Sequence, residues 1–503
     1  MNMKPKALVW LDKNFIMFGM IQKLQSMFDC EKYAIIDGLE SQKVFFTKQQ
    51  LVNFKKTWYY ADLIQSTNQN PDLKYLQDFE KKYDVNLWQI AYSDRLFYPS
   101  FNKYHTFTKN EILLLLEKEA KLFENLIDEI KPDFLLINII VYHHAFLLYQ
   151  ICKAKKIKIF TLEPTHFGPK WEVKDEVDKH LDVSILKNFQ VTKNRTLDEL
   201  RNFLYQYKPL VHGHKENTKY NISKFDKIES MAKFVLEKNF DYEKHYSTKG
   251  KTKSNVLRKG TRTLNTIKRK QKESFINKNF NSRILNEKFI YFPLTYEPER
   301  MVLMGAPYYS NQISVISNIA KSIPVEFILY VKEHPGIKAE GWRNISFYQQ
   351  IIDLPNVKLI HPSVSHIELI EKSSLVMTIR GTAGLEAAFY NKPSIIFSDD
   401  SGYSGLHSVF VVKDIHNLPS IIRNWFQRDI DVDELNKYVE YTDNNSFHFD
   451  HVGFTSELAK RFNFGAGYMT QVRIEPNEMM DFLTEFDTLF SNLANNYLKY
   501  IKN

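Results

Sequence analysis

Cysteine is nearly absent: Cys30 and Cys152 are the only two in 503 residues. That excludes a disulfide-stapled secreted fold and leaves too few thiolates for a cysteine zinc site. Long apolar runs are missing as well. The most apolar stretch, FLLINIIVYHHAFLLY from Phe134 to Tyr149, is broken by Asn138, His143 and His144. It is shorter than the roughly 20 residues a membrane-spanning helix needs. The opening MNMKPKALVWLDKNF has no extended apolar core and no small-residue cleavage site, so no secretory signal is read there. The expected setting is cytoplasmic, at most peripheral on the inner face of a membrane. Glycine and alanine are scarce beside Lys, Asn and Ile, which reflects base composition rather than function. Acids are missing from one place: between Lys244 and Arg283 thirteen Lys/Arg meet a single acid, Glu273. This net of +12 exceeds the +9 of the whole chain, so the rest is slightly acidic.

What is present is ordinary globular material, 44% hydrophobic and 25% charged, with 28 Tyr and 38 Phe. ALVWL (Ala7 to Leu11) and YAIID (Tyr33 to Asp37) read as buried strands. A helical pattern starts at Asn110, read as an N-cap, and stops at Lys131-Pro132-Asp133. FLLINIIV, AFLLYQICKAKK and IKIFTLE then alternate strand, helix, strand, which indicates βαβ units and a parallel sheet. A second α/β unit begins near Lys288. The expected organisation is a Rossmann-like unit over 1–210, a basic linker or insertion over 211–286, a second Rossmann-like unit over 287–430, and a helical segment over 431–503. The basic stretch reads as a solvated linker or as a patch for anionic lipid headgroups. A nucleic-acid surface would need aromatics interleaved with the cations, and they are not there.

In open α/β sheets ligands gather at the carboxyl ends of strands. Four loops after predicted strands therefore carry the candidate chemistry. SLVMTI runs into Arg380-Gly381-Thr382-Ala383-Gly384 and a helix bearing Glu386. Small residues and a helix start suit a phosphate, Arg380 and Thr382 add donors, and Glu386 suits ribose hydroxyls. The same pattern also suits a tight turn that needs small residues for packing. EFILYV ends in Lys332-Glu333-His334-Pro335, where Lys332 and His334 can meet an anion. The loop Pro293 to Arg300 carries Tyr296, Glu297 and Arg300, a nucleotide contact or an internally paired surface loop. In the first unit, Glu163 and His166 in LEPTHFG are candidate bases. Asp12, Lys13 and the pair His143-His144 are lesser candidates of the same kind. The histidine pair implies a metal only if another ligand joins it. No HExxH or Walker spacing occurs, so no metal ligands are assigned.

The segment FPLTYEPERMVLMGAPYYSNQISVISNIAKSIPVEFILYVKEHPG, with TIRGTAGLEAAFYNKPSIIF, resembles bacterial capsule and surface-polysaccharide biosynthesis proteins, including the Kdo-transferase-like members. The resemblance covers about Lys288 to Phe397 and, more loosely, the LEPTHFG loop. It implies a GT-B glycosyltransferase architecture, two Rossmann-like domains facing across a cleft, with a terminal helix crossing back to the first. It further implies His334 and the Gly381–Gly384 turn on the donor phosphates, Glu386 facing the ribose, and Lys332 and Arg380 offsetting charge on the leaving nucleotide, without metal or cofactor. Arg380 stands where a small or hydroxylated residue is expected before the glycine. The expected partners are a nucleotide-sugar (CMP-, CDP- or UDP-linked) and a glycan or lipid-linked acceptor, with no nucleic acid. A polyol-phosphate transferase of teichoic-acid type and a non-catalytic nucleotide- or glycan-binding scaffold stand as alternatives.

Overall fold

The computed structural model describes residues 4–38, 40–64, 69–98, 106–176, 183–206, 260–297, 300–399, 401–462 and 474–502. Of the basic stretch 244–283, residues 244–259 lie outside them. Two sheets organise the chain. The first contains β1 (Lys6–Asp12), β2 (Glu31–Asp37), β3 (Lys56–Tyr59), β4 (Phe134–Ile137), β5 (Lys158–Pro164), β6 (Lys170–Lys174) and the distant β13 (Phe447–His448), in the order β13-β6-β5-β4-β1-β2-β3. From β5 to β3 it is parallel, and β6 and β13 add antiparallel pairs at one edge. Alternate residues of β1 enter opposite cores: Ala7, Val9 and Leu11 one, Leu8 and Trp10 the other. Burial on both faces explains why the strand reads as an unbroken apolar run.

The second sheet is wholly parallel: β7 (Phe289–Pro293), β8 (Ile328–Lys332), β9 (Val357–Ile360), β10 (Leu375–Thr378), β11 (Ser394–Ile396) and β12 (Val409–Val411), ordered β12-β11-β10-β7-β8-β9. The doubly wound, GT-B-like α/β class expected from the sequence is the class observed. In each sheet the chain winds outward both ways from a central pair, β1/β4 in one and β7/β10 in the other. Those pairs are the switch points where ligand crevices form.

The helices that position the site are α1 (Ile16–Met27), α2 (Lys109–Ile130), α3 (His143–Ala154), α4 (Gly260–Asn279), α5 (His366–Lys372), α6 (Ala383–Phe389) and α7 (Asp487–Lys502). The N-cap of α2 is Thr108 rather than Asn110. Its hydroxyl accepts from Glu111 N and the Glu111 carboxylate accepts from Thr108 N, a reciprocal capping box that Asn110 could not form.

Chain order and packing diverge in two places. Leu186 and Leu200, which precede the basic segment, are buried with Phe389 and Tyr438 against the second sheet. The C-terminal segment returns to the first sheet through β13 and α7. Phe490, Leu493 and Tyr497 pack with Met17 and Phe18, and Tyr497 Oη donates to Ile137 O at 3.2 Å. A Cβ at Gly19 would lie 2.5 Å from Phe490, so glycine lets the two helices touch. Among the described residues no helix is long and apolar enough to cross a membrane.

Candidate active site between the two sheets

The carboxyl ends of the two sheets meet. Glu163, at the end of β5, and Arg300, in the loop after β7, are both buried and form a two-pronged ion pair, Nη1–Oε2 3.2 Å and Nη2–Oε1 3.1 Å. His166 reaches across to the loop after β11. Its Nε2 lies 3.0 Å from Ser401 O, and its ring meets Tyr403 edge-on at 5.2 Å. A carbonyl only accepts, so Nε2 carries the hydrogen. Burial, together with the charges of Lys174 and Arg380, pushes His166 down to about 4 and keeps it neutral. A narrow cleft between the halves is lined by Asp94, Arg95 and Tyr142 on one side and Arg300 and Leu303 on the other.

On the second sheet, Lys332 ends β8 with 7% of its surface exposed, and no side chain among the described residues pairs with it. Burial alone pulls it down to about 8. The adjacent Glu333 explains the shape of the Lys-Glu-His-Pro loop. It is fully buried, its Oε1 accepts from His334 N at 2.6 Å, and its Oε2 accepts from Arg343 Nε and Tyr348 Oη, each at 2.8 Å. Arg343 also donates to Thr295 O at 2.6 Å and to Glu297, which takes Gln312 Nε2 at 2.5 Å as well. Glu297 is thus a strut tying the loops after β7 and β8 together. His334 Nδ1 accepts from Gly336 N at 3.1 Å, which leaves Nε2 as the protonated nitrogen, and Tyr296 stands edge-on to the ring at 5.5 Å.

The loop after β10 is built more tightly than a bare ligand cradle. Gly381 N is taken by Thr378 Oγ1 at 3.1 Å, and Gly381 O accepts from Tyr403 Oη at 2.5 Å. A Cβ on Gly384 would sit 2.7 Å from that hydroxyl, so glycine there makes room for Tyr403. Arg380 is buried, and its charge acts on His166 and Tyr403. Thr382 is exposed and donates to Glu386 Oε1 at 2.7 Å. Glu386 Oε2 lies 3.0 Å from His366 Nε2, and His366 Nδ1 lies 2.8 Å from Tyr291 Oη. Burial raises the Glu386 carboxyl, but the His366 hydrogen bond and charge, with Thr382, bring it below its ordinary value.

At the first sheet's switch point Asp12 accepts from Asn138 Nδ2 at 3.1 Å and Asn14 N at 2.9 Å, and burial raises it from its ordinary value. His144 Nε2 lies 3.1 Å from Asp37 Oδ2. His143 bridges Asp94 Oδ2 (Nδ1, 2.8 Å) and Glu119 Oε1 (Nε2, 3.0 Å). The sequence showed no third group beside the histidine pair and so no metal ligands. The fold brings Glu119 there from the middle of α2.

A family model described as capsule polysaccharide biosynthesis protein matches residues 149–404, about half of the chain. The chain belongs to this family. The match runs from α3 through the loop holding Tyr403, and so takes in every second-sheet residue described above together with Glu163 and His166. No curated protein matches the capsule family member. Among solved structures it is similar to a KpsC beta Kdo 2,7 transferase of Thermosulfurimonas dismutans (11% identity over 75% of this chain and 97% of that one, TM-score 0.30). It is similar also to a Methanocaldococcus jannaschii UDP-GlcNAc 2-epimerase in complex with UDP-GlcNAc and UDP (12%, 87% and 99%, TM-score 0.27). Superpositions this loose transfer no residue role.

Sequence reasoning passed over Glu333, Arg343, His366 and Tyr403. Glu333 lay inside a quoted motif, and its flanking by Lys332 and His334 was the available signal. The other three act from 10 to 22 residues away from their partners, with no local pattern to mark them.

Proposed function

We propose that this capsule family member is a glycosyltransferase that moves a sugar from a nucleotide-linked donor to a growing surface glycan. The observation that carries this reading is Lys332. A buried ammonium without a counter-ion is costly unless an anion completes it. It sits one strand from the β7/β10 crevice, with the Nε2–H of His334 in the next loop. Together they suit a donor phosphate, with the rigid Glu333–Arg343 clamp holding the loop in place. Tyr296 lines the same loop pair, and Glu297 contributes as a strut. Arg380, Gly381, Thr382 and Gly384 would shape the neighbouring rim, and Glu386, held by Thr382 and His366, would meet hydroxyls such as those of ribose. A mononucleotide or diphosphonucleotide leaving group fits this set equally.

The acceptor belongs to the first sheet. Glu163, engaged on both oxygens by Arg300, must be released before it can take a proton. His166, near 4, is a weak base. Asp12, raised by burial and set at the switch point, is the better-suited proton acceptor for an acceptor hydroxyl. The basic segment 244–283 would rest on an anionic membrane from the cytoplasmic side; Lys268, Arg269 and Lys270 of α4 are exposed beside Ile267.

The test is calorimetric titration of the protein with CMP, CDP and UDP, repeated on Lys332→Met. One nucleotide is expected to bind, with affinity lost in the variant; equal binding by the two proteins removes Lys332 from the site. Product analysis with the matching donor then decides the chemistry, since phosphate appearing on the acceptor would replace sugar transfer by polyol-phosphate transfer.

A further inference from the structure

The group joining α2 to the start of α3 calls for a cation. Asp94 and Glu119 are 2% and 0% exposed, and Asp37 lies beside them at the end of β2. No Lys or Arg among the described residues pairs with any of the three; the groups against them are the rings of His143 and His144. Two buried carboxylates are stable only if positive charge sits among them. The candidates are a proton on His143 or a metal dication.

A proton on His143 would satisfy one oxygen of each carboxylate and leave Glu119 Oε2 unmet, whereas a metal can take it. We propose that Glu119, His143 and His144 bind one divalent ion of the zinc class. One ligand atom from each lies within 4.8 Å of the others, and all three residues are buried. Each carries an outer partner of the kind metal ligands have. His143 Nδ1 is held by Asp94 Oδ2 at 2.8 Å, which turns Nε2 towards Glu119. His144 Nε2 is held by Asp37 Oδ2 at 3.1 Å, and Glu119 Oε1 accepts from Tyr60 Oη. Glu119 Oε2 is buried and accepts no hydrogen bond from any described residue, an oxygen that a metal would satisfy. Two imidazoles and one carboxylate suit zinc, cobalt or nickel and disfavour magnesium or calcium. Trp10, Tyr60 and Tyr142 stack on His144, and Phe97 packs on His143. This dry aromatic wall makes the site structural. The ion fixes the loop between β4 and α3, which forms one side of the first sheet's crevice. Metal entry displaces any proton on His143 into solvent.

The full chain, purified without a metal-affinity step and dialysed against metal-free buffer, is analysed for metal by mass spectrometry. Thermal unfolding is then followed with 1,10-phenanthroline and with added Zn²⁺. The expected result is about one equivalent of zinc-class metal and a melting temperature that falls by several degrees with chelator and recovers with Zn²⁺. Glu119→Gln, which keeps the shape and removes the charge, is expected to lose the metal. Metal-free wild-type protein whose melting temperature ignores both chelator and Zn²⁺ overturns the proposal, and so does stoichiometric metal retained in Glu119→Gln. Should that variant fail to fold, the visible spectrum of Co²⁺-loaded wild-type protein decides: bands of histidine-ligated cobalt support the site and their absence overturns it. None of these readouts depends on transferase activity.

Discussion

Carboxylates gather at the carboxyl edge of the first sheet, and a buried ammonium without a carboxylate partner among the described residues stands at that of the second. Asp12, Asp37, Asp94 and Glu119 are at one and Lys332 at the other, where Arg343 is already neutralised by Glu297 and Glu333, and the Glu163–Arg300 pair joins them. Two sheets with the same winding thus offer different groups at their ends. The difference teaches that the winding supplies the crevices while the residues at strand ends choose the ligand. An edge of carboxylates suits drawing a proton from a hydroxyl, and an edge with a buried ammonium suits holding phosphate.

The sharpest way to break this division of labour is Asp12→Asn. Turnover is expected to fall about 10²–10⁴-fold, the range for losing a general base, while nucleotide affinity measured by calorimetry stays the same. A parallel loss of affinity would mean that the two edges do not work separately. Next in size is the joint between them. Arg300→Ala strands a buried carboxylate and is expected to cost about 3–5 kcal/mol in denaturant unfolding. The double change Arg300→Met with Glu163→Gln should recover much of that, and equal losses in single and double variants would show that the pair matters little.

The Lys332 edge can be sharpened by pH. Lys332 is charged in the folded protein below about pH 8, so nucleotide affinity is expected to be highest there and to decline as pH rises through about 8. Stability runs the other way. The unfolded chain holds that proton up to about 10.5, so the cost of the buried charge is present below pH 8 and is relieved between the two values. Lys332→Met should weaken binding by roughly 10- to 100-fold, as for a charge-assisted hydrogen bond, and should abolish the step in affinity. The smallest effect is expected at Gly384→Ala, where the new methyl meets Tyr403 Oη. A loss of about 1–3 kcal/mol measured by thermal unfolding is in the overpacking range; a neutral substitution would mean that Tyr403 moves aside freely.

Both sheets were legible in the sequence because their central strands are buried on both faces and read as continuous apolar runs. The loops after them were legible for the same reason, since a strand's end marks where side chains leave the core. Long-range pairing was not. Glu163 and Arg300 each stood in a flagged loop, yet 137 residues separate them and no local pattern announces that one neutralises the other. β13 has two residues and no periodicity to read. Glu119 lies on a helix whose apolar repeat explains its neighbours, and only the fold turns it towards His143. The spacing of Gly381 and Gly384 was visible, but not that Tyr403 occupies the room they create.

The return of α7 to α1 sets an order of assembly during synthesis. Met17, Phe18 and Met20 are made about 470 residues before their covering side chains Phe490, Leu493 and Tyr497. The second sheet is closed by residues 289–411, so it can fold while the first still lacks its cover. Until residues 487–502 arrive, α1 presents a bare apolar stripe, the surface that holding chaperones recognise in a nascent chain.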